Sequence, residues 1–292
     1  MRIADDSSYR NLLLDIQRIA QRMQTSQNQI SSGKKLTRPS DDPSAAADVV
    51  NVDSVRATSA QYLDNAATAE SRLQIADSAL DGVQQVTDRI RTLALLAQNG
   101  SSSPSLSVEE ISGLRDQLLS YANTVFEGQY MFAGSKTDSA AYNKASSGTI
   151  TYAGNSDVMK LQVGKASMLQ SQIPGNQVFS GAVDIFQTLT DLVTAMSSGS
   201  TSAIRTQVAR LEQFSQTVSS ARTKVGGLLN GATAAQNDLR QADLTLVAHL
   251  SQLQDADLAQ ALSEFTQSQN ALAAATAVGA RVSSLSILDY LK

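Results

Sequence analysis

The chain contains no cysteine, no tryptophan, a single histidine, and only 4 prolines among its 292 residues. Without cysteine there is no disulfide, no thiolate nucleophile and no thiolate metal site. A multi-histidine metal centre is excluded, and a Ser-His-Asp triad would have to use His249, which falls inside a long helical pattern and reads as a solvent-edge helix residue. Aromatics make up only 4% of the chain, and its apolar content is Ala, Leu, Val and Ile, a mixture suited to long helices packed side by side. Net charge is −4 with both signs scattered, which leaves no basic footprint for nucleic acid. No run of 18 apolar residues occurs, so no helix is expected to enter a membrane. The N-terminal MRIADDSSYRNLLLDIQR has early acidic residues and neither an apolar h-region nor a small-residue cleavage site, so no cleaved signal peptide is expected. Glycine-rich phosphate loops and metal-ligand spacings are missing too, so no cofactor is expected. The acidic groups Asp41-Asp42, Glu109-Glu110 and Asp255/Asp257 read as helix starts favoured by the dipole, not as catalytic pairs. Composition therefore argues against an enzyme.

What is present is heptad spacing. Tyr9, Leu12, Ile16, Ile19, Met23, Ser26 and Ile30 alternate steps of three and four, the spacing of a coiled-coil seam. Gly33 suits the end of that helix, and Arg38-Pro39 forces an extended link. Asp42 is placed to cap a second helix, with Pro43 at its first position. Val49, Val52, Leu63, Ala66, Leu73, Ala76, Leu80, Val83, Ile90 and Leu93 then share one frame, interrupted only by Gly82. The pattern predicts one helix over 43–98, far longer than the ~11-residue average. Ser107-Val108-Glu109-Glu110 reads as a capping box opening a shorter helix through Val125.

Between Gly128 and Gly181 the period drops to two. Thr149–Tyr152 and Val158–Val163 flank Ala153–Asp157 and predict a hairpin. A short helix carrying Phe186, Leu189, Val193 and Met196 follows. From Ile204 to Leu253 the three-four alternation runs unbroken, with Gly226-Gly227 and Gly231 as points where a helix would bend. The stripe resumes as Leu258, Leu262, Phe265, Leu272, Val278, Val282 and Leu285, its phase slipping between Leu272 and Val278. The expected fold is mainly α: a long antiparallel helical coiled-coil rod formed by the N- and C-terminal segments, with a small β-rich domain inserted in the middle. The expected divisions are a terminal coiled-coil inner domain (1–38 and 256–292), a helical bundle domain (39–135 and 182–255) and a β-rich outer domain (136–181).

The terminal segments carry too few seam residues to offset the conformational entropy of ordering them. They are expected to become ordered against neighbouring subunits. The candidate interface is Leu12, Ile16, Ile19, Met23 and Ile30 from the first helix, with Leu258, Leu262, Phe265, Leu272, Ala274, Val278, Val282 and Leu285 from the last. Ala273, Ala274, Ala275, Ala277 and Gly279 allow close helix approach in such an interface, or simply favour helix. Heptads alone fit an internal coiled coil equally well.

Two terminal stretches point to one family. Gln29-Ile30-Ser31-Ser32-Gly33-Lys34-Lys35-Leu36 leading into Ser40-Asp41-Asp42, and Asp255-Ala256-Asp257-Leu258-Ala259 followed by Phe265-Thr266-Gln267, resemble the N- and C-terminal signatures of the bacterial flagellin family. Pro39-Ser40-Asp41-Asp42-Pro43 and the segment from Asn123 to Asp138 are similar to the hook-associated branch of that family. Ile150–Asn155 and Pro174–Phe179 sit where that branch carries them. The resemblance implies a structural adaptor joining the flagellar hook to the flagellin filament by polymerisation of its terminal helices. Implied partners are the first hook-associated protein, flagellin, further copies of itself in a ring, an export chaperone and the flagellar type III export apparatus. The chaperone is expected on the C-terminal helix at Leu258, Leu262, Phe265 and Leu272, an amphipathic segment suited to a groove. The implied place is extracellular, at the hook–filament junction. A filament flagellin is the alternative, and less so a helical signalling rod, which would lack strands between Gly128 and Gly181.

Overall fold

The computed structural model describes residues 2–99 and 104–290, with side chains described over 10–99 and 106–281. Seven helices and six short strands follow in the order α1 (Arg2–Ser32), α2 (Pro43–Gln98), α3 (Pro104–Ala122), β1 (Val125–Phe126), β2 (Gln129–Tyr130), β3 (Tyr142–Lys144), β4 (Ile150–Tyr152), β5 (Lys160–Gln162), β6 (Met168–Gln170), α4 (Gly175–Val178), α5 (Ile185–Ser197), α6 (Thr201–Gln254) and α7 (Leu258–Tyr290). The described chain is mainly α with small sheets. It divides into two compact units, residues 1–57 with 242–292, and 58–241. α2 and α6 contribute residues to both.

In the second unit the core runs along α2 through Ala66, Ala69, Leu73, Ala76, Leu80, Val83 and Ile90, all buried. α6 lies antiparallel to it, held at its edges by polar bridges. The Arg222 Nε donates to Asp77 Oδ1 at 3.1 Å, its Nη1 stands 2.7 Å from Asp81 Oδ1, and Gln84 Nε2 donates to Ser215 Oγ at 2.6 Å. α6 is continuous through Gly226-Gly227 and Gly231. Gly82 does not break α2 but makes room: a Cβ there would lie 2.4 Å from the Tyr121 ring of α3. α3 begins at Pro104, three residues before the expected capping box, and ends at Ala122, three before the expected end. Pro at the first helical position suits the earlier start.

The few aromatic residues are concentrated here. Phe132, Tyr142, Phe179, Phe186 and Phe214 form one cluster, with ring centroids 5.4 Å apart for Phe132–Phe179 and 5.1 Å for Tyr142–Phe186. Burial raises the Tyr142 hydroxyl well above its ordinary pKa, so it stays a protonated partner of Ser180 Oγ at 2.9 Å.

The strands make three two-stranded antiparallel sheets: β1 with β2, β3 with β4, and β5 with β6. The hairpin expected between residues 149–152 and 158–163 does not form, because each strand pairs elsewhere. Tyr142 opposes Tyr152, and Leu161 opposes Leu169. The intervening segment is tied to residues 133–141 instead. The Ala153 N–H donates to the Ala141 carbonyl at 2.8 Å, the Asn155 N–H to the Ala133 carbonyl at 3.1 Å, and the Ser135 N–H to Asn155 Oδ1 at 2.8 Å. The tightest turn joins β1 to β2. Glu127 and Gly128 have φ +49° and +77°, the double positive φ of a type I′ hairpin turn.

Candidate functional site

The first unit is built on α1 and α7, which pack antiparallel. On α1, Leu12, Ile16, Ile19 and Met23 are half-buried along one face and Ser26 is buried at 3% exposure. On α7 the matching face is Ala261, Phe265, Ser268, Leu272, Ala275 and Gly279, with Ala261 buried and the others half-buried. These six keep the three-four alternation without a slip. The expected stripe drifted because it followed large residues only, whereas the face against α1 is set by small ones. A Cβ at Gly279 would stand 3.2 Å from Leu12 Cδ2, which shows how closely the helices approach.

The ends of the pair are joined by backbone hydrogen bonds between the two signature stretches. Gly33, at φ +70°, ends α1 in the left-handed conformation, its N–H donating to the Gln29 carbonyl at 2.8 Å. From there the chain meets the start of α7. The Ala256 N–H donates to the Gly33 carbonyl at 2.9 Å, the Lys35 N–H to the Gln254 carbonyl at 2.7 Å, and Lys35 Nζ to the Gln252 carbonyl at 2.8 Å. Asp257 caps α7, its Oδ1 accepting from the Ala259 and Gln260 N–H groups at 2.9 and 3.1 Å. Asp42 does the same for α2, accepting from the Ser44 and Ala45 N–H groups at 3.0 and 3.1 Å. Asp41 closes the turn before it, accepting from the Arg38 and Thr37 N–H groups at 2.8 and 3.1 Å. These bonds favour the ionised forms. The Arg38 N–H, followed by the Thr37 hydroxyl, lowers the Asp41 pKa, and the Ala45 N–H, followed by the Ser44 hydroxyl, lowers that of Asp42.

The outer faces of the pair are apolar at several points. Leu13, Leu14 and Ile30 of α1 and Leu258, Leu262 and Val278 of α7 are exposed, Leu258 at 53% and Leu262 at 57%. Ala274 is exposed as well. Of the sequence-derived interface residues, Leu12, Ile16, Ile19, Met23, Phe265 and Leu272 therefore face the partner helix, and Ile30, Leu258, Leu262, Ala274 and Val278 face outward. Val282 and Leu285 lie outside the residues whose side chains are described. Of the alanine and glycine set, Ala275 and Gly279 turn toward α1 while Ala273, Ala274 and Ala277 are exposed. Beside the seam runs a polar groove of about 590 Å³, lined by Arg18, Arg22 and Ser26 of α1 and Glu264, Gln267 and Ser268 of α7.

Two exposed helices with an inner seam thus leave several large apolar side chains on their outer faces. His249 is exposed on α6. Among the described residues no group of three or more His, Asp or Glu could hold a metal, and no helix is long and apolar enough to cross a membrane.

Two family models match the chain: the bacterial flagellin N-terminal helical region over residues 3–137 and the bacterial flagellin C-terminal helical region over residues 208–291. Flagellar hook-associated protein 3 of Escherichia coli K12 is 29% identical over 294 residues, covering 90% of this chain and 91% of that protein. Its counterpart in Salmonella typhimurium LT2 is 33% identical over 157 residues, covering 52% of this chain and 48% of that protein. Among solved structures, a flagellar hook-associated protein of Vibrio parahaemolyticus matches with a TM-score of 0.69 at 26% identity, covering 74% of this chain and 100% of that one. With both terminal models in place, and joined in space by the Gly33–Ala256 contact, the chain belongs to the bacterial flagellin family, and within it resembles hook-associated protein 3.

Proposed function

We propose that this protein is a structural subunit of the bacterial flagellum that joins the hook, through another hook-associated protein, to the flagellin filament. What supports the junction role over a filament role is the similarity to hook-associated protein 3 along 90% of this chain and 91% of that protein. What supports assembly through the terminal helices is the outward row of Leu13, Leu14, Leu258, Leu262 and Val278, apolar area that a second subunit would bury. The candidate interface then has two layers. Leu12, Ile16, Ile19, Met23, Phe265 and Leu272 hold α1 to α7, and Ile30, Leu258, Leu262, Ala274 and Val278 meet neighbouring copies in a ring. Val282 and Leu285 are assigned to the same interface from their sequence pattern.

The subunit reaches the extracellular junction through the flagellar type III channel. An export chaperone takes α7 at Leu258, Leu262, Phe265 and Leu272. Because Phe265 and Leu272 face α1 in the folded pair, the chaperone binds α7 before the pair forms. In this scheme residues 136–181 are the outer part of the subunit.

A chromosomal deletion tests the junction role. Cells should complete the hook and shed flagellin monomer into the medium, and normal filaments on the deletion strain would overturn the proposal. Purified protein should form short rings or none; long homopolymers would identify a filament subunit instead.

A further inference from the structure

Arg72, on α2 in the second unit, is 7% exposed and has no carboxylate partner among the described residues. Its Nη2 donates to Gln129 Oε1, its Nη1 donates to the thioether Sδ of Met159 at 3.1 Å, and its buried Nε finds no acceptor there. Divalent sulfur is a weak acceptor. A buried cation served by one amide oxygen and one thioether is short of the oxygen ligands that charge-assisted hydrogen bonds favour. Met159 itself is half-buried and held in place, its carbonyl accepting from the Ser171 N–H at 3.0 Å. The contrast is Met168 on β6, which is 62% exposed and for which no contact with a cation is seen.

We propose that Met159 is a site of oxidation by peroxide, and that its sulfoxide oxygen replaces the weak thioether as the acceptor for Arg72 Nη1. In the reaction a peroxide oxygen is transferred to Sδ. The S–O bond forms as the O–O bond breaks, sulfur is oxidised by two electrons, and hydrogen peroxide leaves as water. The new oxygen accepts from Nη1 in place of the sulfur, while the unbranched methionine chain lets the sulfur withdraw to make room. Methionine oxidation ordinarily loosens a fold by placing a polar group among apolar ones. Here the polar group meets a buried cation, so oxidation fastens the strand region of β5 to α2. The inference does not depend on the flagellar assignment.

The test uses the full chain carrying Met168→Leu, which removes the exposed methionine sulfur of the second unit, treated with graded hydrogen peroxide and mapped by peptide mass spectrometry. Met159 should convert before Met131 and Met196, which are 1% and 2% exposed. At full Met159 conversion the second unit should melt about 2–4 °C higher, and methionine sulfoxide reductase should reverse the rise. The double variant Met159→Leu/Met168→Leu should show no rise. The proposal is overturned if Met159 stays reduced until Met131 reacts, if its sulfoxide leaves the melting temperature unchanged or lowers it, or if the double variant shows the same rise.

Discussion

At the scale of single residues the structure makes sharp demands at a few positions. Gly134 adopts φ +70°, and a Cβ there would lie 2.4 Å from the backbone oxygen of Asn155. Gly134→Ala therefore combines left-handed strain with a backbone clash, and should lower the stability of the second unit by about 2–4 kcal/mol in urea unfolding. Asp41 and Asp42 make a different demand, one of charge. Their folded pKa values lie below the ordinary 3.8, so the bonds they accept stabilise the link at all pH values above about 4. That contribution should vanish as pH falls through the lowered values. Amide exchange at Arg38, Ser44 and Ala45 should then accelerate beyond the intrinsic pH trend, and Asp42→Asn should blunt the effect at Ser44 and Ala45 only. Both carboxylates were readable as helix-start groups from Asp-Asp-Pro alone, since capping is settled within four residues. Gly134 was not, because its constraint comes from Asn155, twenty-one residues away.

At the scale of elements, the helices follow their local patterns closely and the strands do not. α2 begins at Pro43 and ends at Gln98 as its cap and its Asn-Gly stop require. The expected hairpin fails because strand pairing is non-local: the sequence 149–163 has two suitable strands, but residues 142–144 take the first and residues 168–170 the second. The face of α7 that meets α1 departs from the stripe of large residues for another reason. Large residues advertise a seam, yet Ala261, Ser268, Ala275 and Gly279 are what let α1 come close. The two faces of α7 predict opposite phenotypes. Gly279→Leu should drive a side chain into Leu12 and abolish amide protection across α1 and α7, leaving the melting of the second unit unchanged. Ala274→Leu, on the exposed side, should leave that protection intact and still block attachment of filaments in cells. Normal filament attachment in Ala274→Leu would remove the outward face from the interface.

At the scale of the whole molecule, the chain consists of two units of different character. The second unit owns the aromatic cluster and nearly all of the fully buried residues, whereas in the first only Ser26, Val52 and Ala261 are buried among the described residues. A dilute monomer should therefore show two tiers of hydrogen exchange, with α1 and α7 exchanging far faster than the middle of α2 and α6. Protection of α1 and α7 should rise on assembly, and equal protection of both tiers in the monomer would contradict an assembly role for the pair. By itself the sequence determined the helices, their caps and ends, the absence of thiol and multi-histidine chemistry, and the family, because periodicity, capping and signature motifs are local or terminal properties. Tertiary structure alone decided which face of α7 meets α1, which strands pair, that Arg72 rests on a thioether, and that the two signature stretches bond to each other. Those outcomes depend on how closely distant segments approach, and in a chain rich in small residues that closeness leaves no apolar stripe to read.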